Sequence, residues 1–491
     1  MNKQLKCVLF LSLKEMSLRR VAVLLWRNSD ILDAISKFRS LSFFNSKKWR
    51  ETFDERIKDE VSKLELPESL TKWMTDIVNP ISLEIQKWKN FHENFIYNSY
   101  NHLSSSDLSK LCWNSEGTIN YQKTAEEFVR CRAFSADKCY KLACIYCLEE
   151  YIPLLWEELP YYTKNHFCNE YVTLPYMPYV WPHILTGDLS RLDYLLKRSG
   201  RNLFSLNQYA FEYSAEKGNK STSEYFFQKL TYEEREASLM RTALAVLKNP
   251  NVKLNKYIED FPKENFSDVF CYLITLMTPD QQMDILKAQP VDVFLCFLDW
   301  PRQDLFLENA GLIWTCLPPI GYRDLICQMN GRYSSSGFYF PSLFQKFFLQ
   351  SPPDFKKYFI DPEHGYALLH IFIDSGDSET MQVIFRSADA ADIVKLVCHI
   401  DVIELFYFCM LKMDGWRKVE VCLREAKLSK EDRERVKEAF MQYLKGRVNG
   451  ESMWRNGKFK RFSDFLDRTD ANTEEVKKVQ TLRLENSCPE Q

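Results

Sequence analysis

Gly365-Tyr366-Ala367-Leu368-Leu369-His370-Ile371-Phe372-Ile373-Asp374-Ser375-Gly376-Asp377, followed by Met381, Ile384 and Phe385, decides how the rest of the chain is read. It predicts a short helix, a tight turn at Ser375-Gly376-Asp377, and a second helix running back beside the first. Glycine takes the left-handed position that ends a helix without steric cost. Asp377 can then cap the next helix by accepting from its free N–H groups.

Weaker copies of this unit lie upstream. Gly187 is followed by Leu192, Leu195 and Leu196; Gly218 by Tyr225, Phe226 and Phe227; Asn249 by Leu254, Tyr257 and Ile258. These turns are spaced 31 residues apart, and asparagine is the next-best residue for the left-handed position. A second signal falls in phase with them. Thr231, Thr278 and Ser429 each stand ahead of acidic or amide residues, as hydroxyl caps do before a first helical turn. Between Asn249 and Gly376 there is room for about four more units at a period of ~33 residues. Helices are predicted there over 266–277, 281–287, 291–299, 305–313 and 322–329, with a longer loop from Gly331 to Pro341. Asp414-Gly415 gives a last turn, preceded by an apolar helix over 401–411.

The unit at Gly365 resembles an ankyrin repeat. Gly365, Leu369, His370, Gly376, Ile384 and Phe385 fall where that family has its glycine, its Leu-His, its second glycine and its paired leucines. Ala367-Leu368 replaces the family's Thr-Pro, and Phe372-Ile373 its small pair. The resemblance implies stacked helix pairs, a structural role for His370, and a protein-binding surface.

A chain of 491 residues exceeds one compact core, but a repeat array escapes that limit because each unit buries surface against its neighbours. With 65 basic and 67 acidic side chains, the balance argues against a bulk nucleic-acid binder. Fifteen cysteines, odd in number and set in apolar runs, predict free thiols in a reducing compartment, cytoplasmic or nuclear. The apolar run Cys7–Leu13 is too short to span a membrane. It is read as a buried helix, as sequence upstream of a start at Met16, or as a secretory signal lacking a cleavage site.

Residues 16–60 are predicted helical. Arg19, Arg20, Arg27, Lys37, Arg39, Lys47, Lys48 and Arg50 are interleaved with acids there, which favours a solvated face over a positive patch. Helices continue over 61–165, punctuated by a cap at Ser104 and a turn at Asn114–Gly117. From Ser135 to Trp156 the apolar density predicts a buried helix broken at Pro153. The prolines at 160, 175, 178 and 182, among Tyr161, Tyr162, Tyr171, Tyr176, Tyr179 and Trp181, predict a non-helical connection that packs internally or meets a partner.

Signatures of chemistry are sparse. Cys144-Ile145-Tyr146-Cys147, with Cys139, His166 and Cys168 nearby, lies in an apolar helix and not on the turns that zinc sites use. The histidines have no metal-protease spacing, and no phosphate-cradling loop or nucleophile elbow occurs. The pairs Glu149-Glu150 and Glu157-Glu158 are read as solvated. Trp454–Phe462 mixes basic and aromatic residues, which suits bases but suits a C-terminal cap better. No catalytic, cofactor-binding or metal residue is assigned.

The expectation is an all-α protein: a helical N-terminal region (1–165), an α-solenoid of degenerate ankyrin-like repeats (166–445), and a C-terminal cap with a polar tail (446–491). It would be a non-enzymatic protein–protein interaction scaffold without cofactors, binding another protein and neither nucleic acid nor membrane. The alternative is a substrate-receptor subunit of a ubiquitin-ligase-type complex.

Overall fold

The computed structural model describes residues 4–38, 46–96, 103–168, 177–198, 205–248, 266–329, 341–411, 415–446 and 457–467. Among them the regular structure is all-helical, apart from one isolated antiparallel bridge, Trp113 to Ile119. Asn249, residues 331–340, Asp414, Trp454 and the polar tail lie outside the described residues. No described helix is long and apolar enough to cross a membrane. The chain divides into two compact units, Met1–Cys316 and Leu317–Gln491.

Side chains bond from the first 165 residues to those that follow. Helix Ala136–Ile145 ends with carbonyls that later residues satisfy: Trp181 Nε1 donates to Cys144 O at 3.2 Å, and Asn219 Nδ2 to Ile145 O at 3.0 Å. The Thr222 hydroxyl donates to that same Ile145 oxygen. Helix Leu13–Trp26, begun by a capping box between Ser12 and Glu15, buries Leu18, Ala22, Val23 and Trp26. Trp26 Nε1 reaches Val78 O at 2.9 Å on helix Glu68–Ile96.

Two proline readings are corrected. Residues 135–156 form two helices, Ala136–Ile145 and Ile152–Glu158, and the break is not at Pro153. Cys147 ends the first helix in the left-handed region (φ 50°), with Leu148 N–H closing back on Ala143 O at 2.9 Å. Pro153 sits in the first turn of the second helix, where a missing N–H costs nothing. Residues Met177–Thr186 are helical despite Pro178 and Pro182. Pro182 leaves the Pro178 carbonyl without its helical donor, and the buried Tyr140 hydroxyl supplies one at 3.2 Å.

The turns that organised the sequence reading hold. Gly187, Gly218 and Gly376 have φ of 72°, 83° and 71°. Helices Leu206–Glu216 and Lys220–Gln228 pack together around Gly218. In the second unit, Gly376 ends helix Pro362–Ser375, and Asp377 accepts from Thr380 N–H at 2.9 Å to start helix Ser378–Arg386. Gly365, however, lies inside the first of these helices. Its N–H donates to Asp361 O at 2.7 Å, so the helix begins before the place where the repeat pattern has a turn. A side chain at Gly365 would meet Leu396 and the Phe359 carbonyl, so glycine there permits close packing.

The second unit also holds clusters of aromatic rings. Phe344 packs on Phe348, Phe359 and Phe372 at centroid distances of 5.8, 5.9 and 5.1 Å. The final helix, Gly457–Asp467, buries Phe459, Phe462 and Leu466, with Phe440 4.5 Å from Phe462. Phe459 and Phe462 of the basic segment are therefore spent on packing, while Lys460 and Arg461 face solvent.

Candidate functional site

Residues 4–11 are neither helix nor strand, and their reading as a buried helix is corrected. Phe10 is 88% exposed, whereas Leu5 is buried. The segment is held by main-chain recognition. Leu5 N–H donates to Gln282 Oε1 at 3.0 Å. Asn309 brackets Lys6, accepting from its N–H at 2.8 Å and donating Nδ2 to its carbonyl at 2.8 Å. The Lys6 ammonium lies 3.1 Å from Glu308.

Both amides are also anchored by a main-chain carbonyl, Asn309 on its own helix and Gln282 on the helix before it. Asn309, on helix Gln303–Ile313, also donates Nδ2 to Leu305 O at 2.8 Å. Gln282, on helix Pro279–Ala288, donates Nε2 to Ile274 O at 3.0 Å, which satisfies an end carbonyl of helix Phe266–Thr275. Their oxygens are thereby aimed outward from a buried base. A buried amide left without its partner would cost about 1–3 kcal/mol, so these bonds hold the backbone of Leu5 and Lys6 in place. Neither residue was singled out from the sequence. The available signal was an amide on the apolar stripe of a helix, beside Leu305, Phe306, Ala310 and Ile313 for Asn309.

No protein-family model matches this chain, and no curated protein matches it. Its function has to be argued from this geometry.

Beneath the segment lies a charged and thiol-bearing cluster. Arg302 is ion-paired with Asp268, and Ser267 donates to Asp299. Burial alone would lower the Arg302 pKa, but Asp268, Cys271 and Asp299 together reverse that and raise it. The mutual influence of Cys7 and Cys271 raises the Cys7 pKa and lowers that of the buried Cys271. Cys296 borders this pair, and burial holds it well above the ordinary range. Arg19 stacks over Trp300 at 4.3 Å and donates to Glu116 O at 2.8 Å. It is buried, which corrects its place on a solvated basic face.

The residues picked out from the sequence do not gather here. Cys139, Cys144 and Cys147 are buried, and burial raises all three, Cys147 to about 12. Such thiols make poor nucleophiles or metal ligands. Every described cysteine is free. His370 is half-buried with its ring 6.2 Å from Tyr366. Glu149 and Glu158 form ion pairs with Lys229 and Arg132, and Glu157 lies 3.9 Å from Lys164. Asp361, Glu363 and His364 converge in the second unit, where Asp361 caps the helix by accepting from Glu363 N–H at 3.0 Å. Tyr161 and Tyr162 are exposed, while Trp181 is buried.

Proposed function

We propose that the chain is a non-enzymatic protein–protein interaction scaffold of the cytosol or nucleus, assembled from degenerate ankyrin-like helix pairs. The observation that carries this reading is the bracketing of the Lys6 main chain by Asn309, with Gln282 on Leu5. Hydrogen bonds to both N–H and C=O recognise a peptide irrespective of side chain. The apolar site of Leu5 and the carboxylate of Glu308 then add a preference for an apolar residue followed by a basic one. The partner of this reading is a non-helical segment of another protein, and residues 4–8 occupy its place in cis. Left-handed glycine turns at 187, 218 and 376 support the helix-pair repeat.

The test separates the groove from its own occupant. Lys6→Pro removes the N–H that Asn309 accepts and frees the groove. A fluorescein-labelled peptide of residues 2–12, carrying Cys7→Ser, should bind the Lys6→Pro chain about 100-fold more tightly than the wild type. A tethered competitor acts at millimolar effective concentration. Equal, negligible binding to both chains would sink the reading. Co-purification of a ligase core subunit with the full chain would favour the substrate-receptor alternative.

A further inference from the structure

We propose that the outer face of helix Leu13–Trp26, with the segment leading into it, is a docking surface for an anionic lipid bilayer. The helix lies on the membrane surface and does not cross it.

Two faces of this helix differ in chemistry. Leu18, Arg19, Ala22, Val23 and Trp26 are buried on one side. Leu13, Ser17, Arg20, Leu24 and the C-cap Arg27 recur at helical spacing on the other, and all five are exposed. Leu13 is 80% exposed and Leu24 51%, while Phe10 and Val8, on the non-helical segment before the helix, are 88% and 54% exposed. Side chains so open stand out from the surface and line no groove. Their match is a soft plane that they can enter.

The charges on this face have one sign. Arg20 and Arg27 alternate with the two leucines, and exposed Lys14 adds a third cation, its ammonium 4.7 Å over the Trp73 ring. Arg27 donates to Ser109 O at 3.0 Å, a neutral acceptor that leaves its charge uncompensated. Glu15 lies on the far side of the helix, where the Ser12 N–H and hydroxyl donate to it at 2.7 and 2.8 Å. The Lys6 ammonium is paired with Glu308, and Asp30 stands beyond the helix end, in the first turn of helix Ser29–Lys37. Exposed aliphatic and aromatic side chains can enter the acyl boundary while arginine and lysine stay among anionic headgroups. No described helix can cross a membrane, but lying on one requires only such a face. A bilayer partner departs from the sequence expectation of none.

The test is flotation of the full chain with vesicles of phosphatidylcholine alone and of phosphatidylcholine with about 30% phosphatidylserine. Binding to the anionic vesicles should be at least ~10-fold stronger than to the neutral ones, and should weaken as salt rises from about 0.1 to about 0.5 M. Leu13→Gln combined with Leu24→Gln should lower it at least ~10-fold. Ser17→Glu, which sets a carboxylate between the arginines, should lower it about 5-fold. These side chains are exposed, so the circular dichroism of the variants should match the wild type. Failure to bind the anionic vesicles, equal binding to both kinds, or variants that bind like the wild type would overturn the proposal. Retention on immobilised polyglutamate without vesicle binding would assign the face to an acidic protein and overturn it too. None of the substituted residues bonds Gln282 or Asn309, so the bilayer contact and the peptide reading can fail separately.

Discussion

The two compact units bury different chemistry. Met1–Cys316 encloses Arg19, Glu84, Lys89, His92, Gln208, Glu212, Asn219, Thr222, Gln282 and Asn309, whereas the buried polar side chains described in Leu317–Gln491 are Ser351 and Thr380. In the first unit, helices are tied by directional bonds between residues far apart in sequence. In the second, phenylalanine and tyrosine rings pack on one another with little polar direction. Apolar packing tolerates substitution of like volume, while a buried polar pair tolerates the loss of neither partner. The unit that holds the N-terminal segment is thus the one whose interior is chemically specific.

The contrast can be broken or sharpened by hydrogen–deuterium exchange mass spectrometry along denaturant series, which follows each unit separately. Phe344→Ala opens the aromatic cluster and should destabilise the second unit by about 4 kcal/mol, leaving exchange in the first unchanged. Asp268→Ala strands the Arg302 charge and should cost the first unit about 3 kcal/mol. The lower end of the range applies because Asp268 keeps 29% of its side-chain exposure. Arg302→Met combined with Asp268→Leu should restore most of that loss. If the double variant is as weak as the single, the ion pair contributes more than compensation of its own burial.

A smaller and pH-dependent difference comes from His92. Burial lowers its pKa to about 3, and its ring bonds Trp88 O at 2.8 Å and the Tyr146 hydroxyl at 2.9 Å. The folded ring stays neutral while the unfolded one takes a proton below about 6.5. The unfolded state then binds more protons, so this contribution is complete above pH 6.5 and declines as pH falls towards 3. From about pH 7 to 5 the first unit should lose about 2 kcal/mol relative to His92→Gln. Parallel pH profiles of the two chains would remove His92 as the cause. The smallest effect is Gly376→Ala, where φ is 71° and a Cβ meets nothing within 4 Å. Backbone strain alone should cost the second unit about 1 kcal/mol, read as a shift in urea midpoint.

Helices were legible where their signals are local. Thr278 with Gln281, Ser104 with Asp107, and Ser429 with Asp432 form caps at the residues the sequence indicates. The predicted helices over 266–329 match those found to within a few residues. What failed depended on remote partners. Pro182 could remain helical because Tyr140 serves the carbonyl it leaves free. Arg19 could be buried because Trp300 and Glu116 O receive it. The docking of the N-terminal segment was invisible for the same reason, since Leu5 and Gln282 are 277 positions apart.

The sequence by itself determined the helical class, the left-handed turns and the caps, because each is set by residues within one turn of backbone. Tertiary structure alone decided which amides hold the N-terminal segment, which charged side chains are buried, and where one compact unit gives way to the next. Those outcomes depend on burial, and burial depends on segments that meet only once the chain has folded.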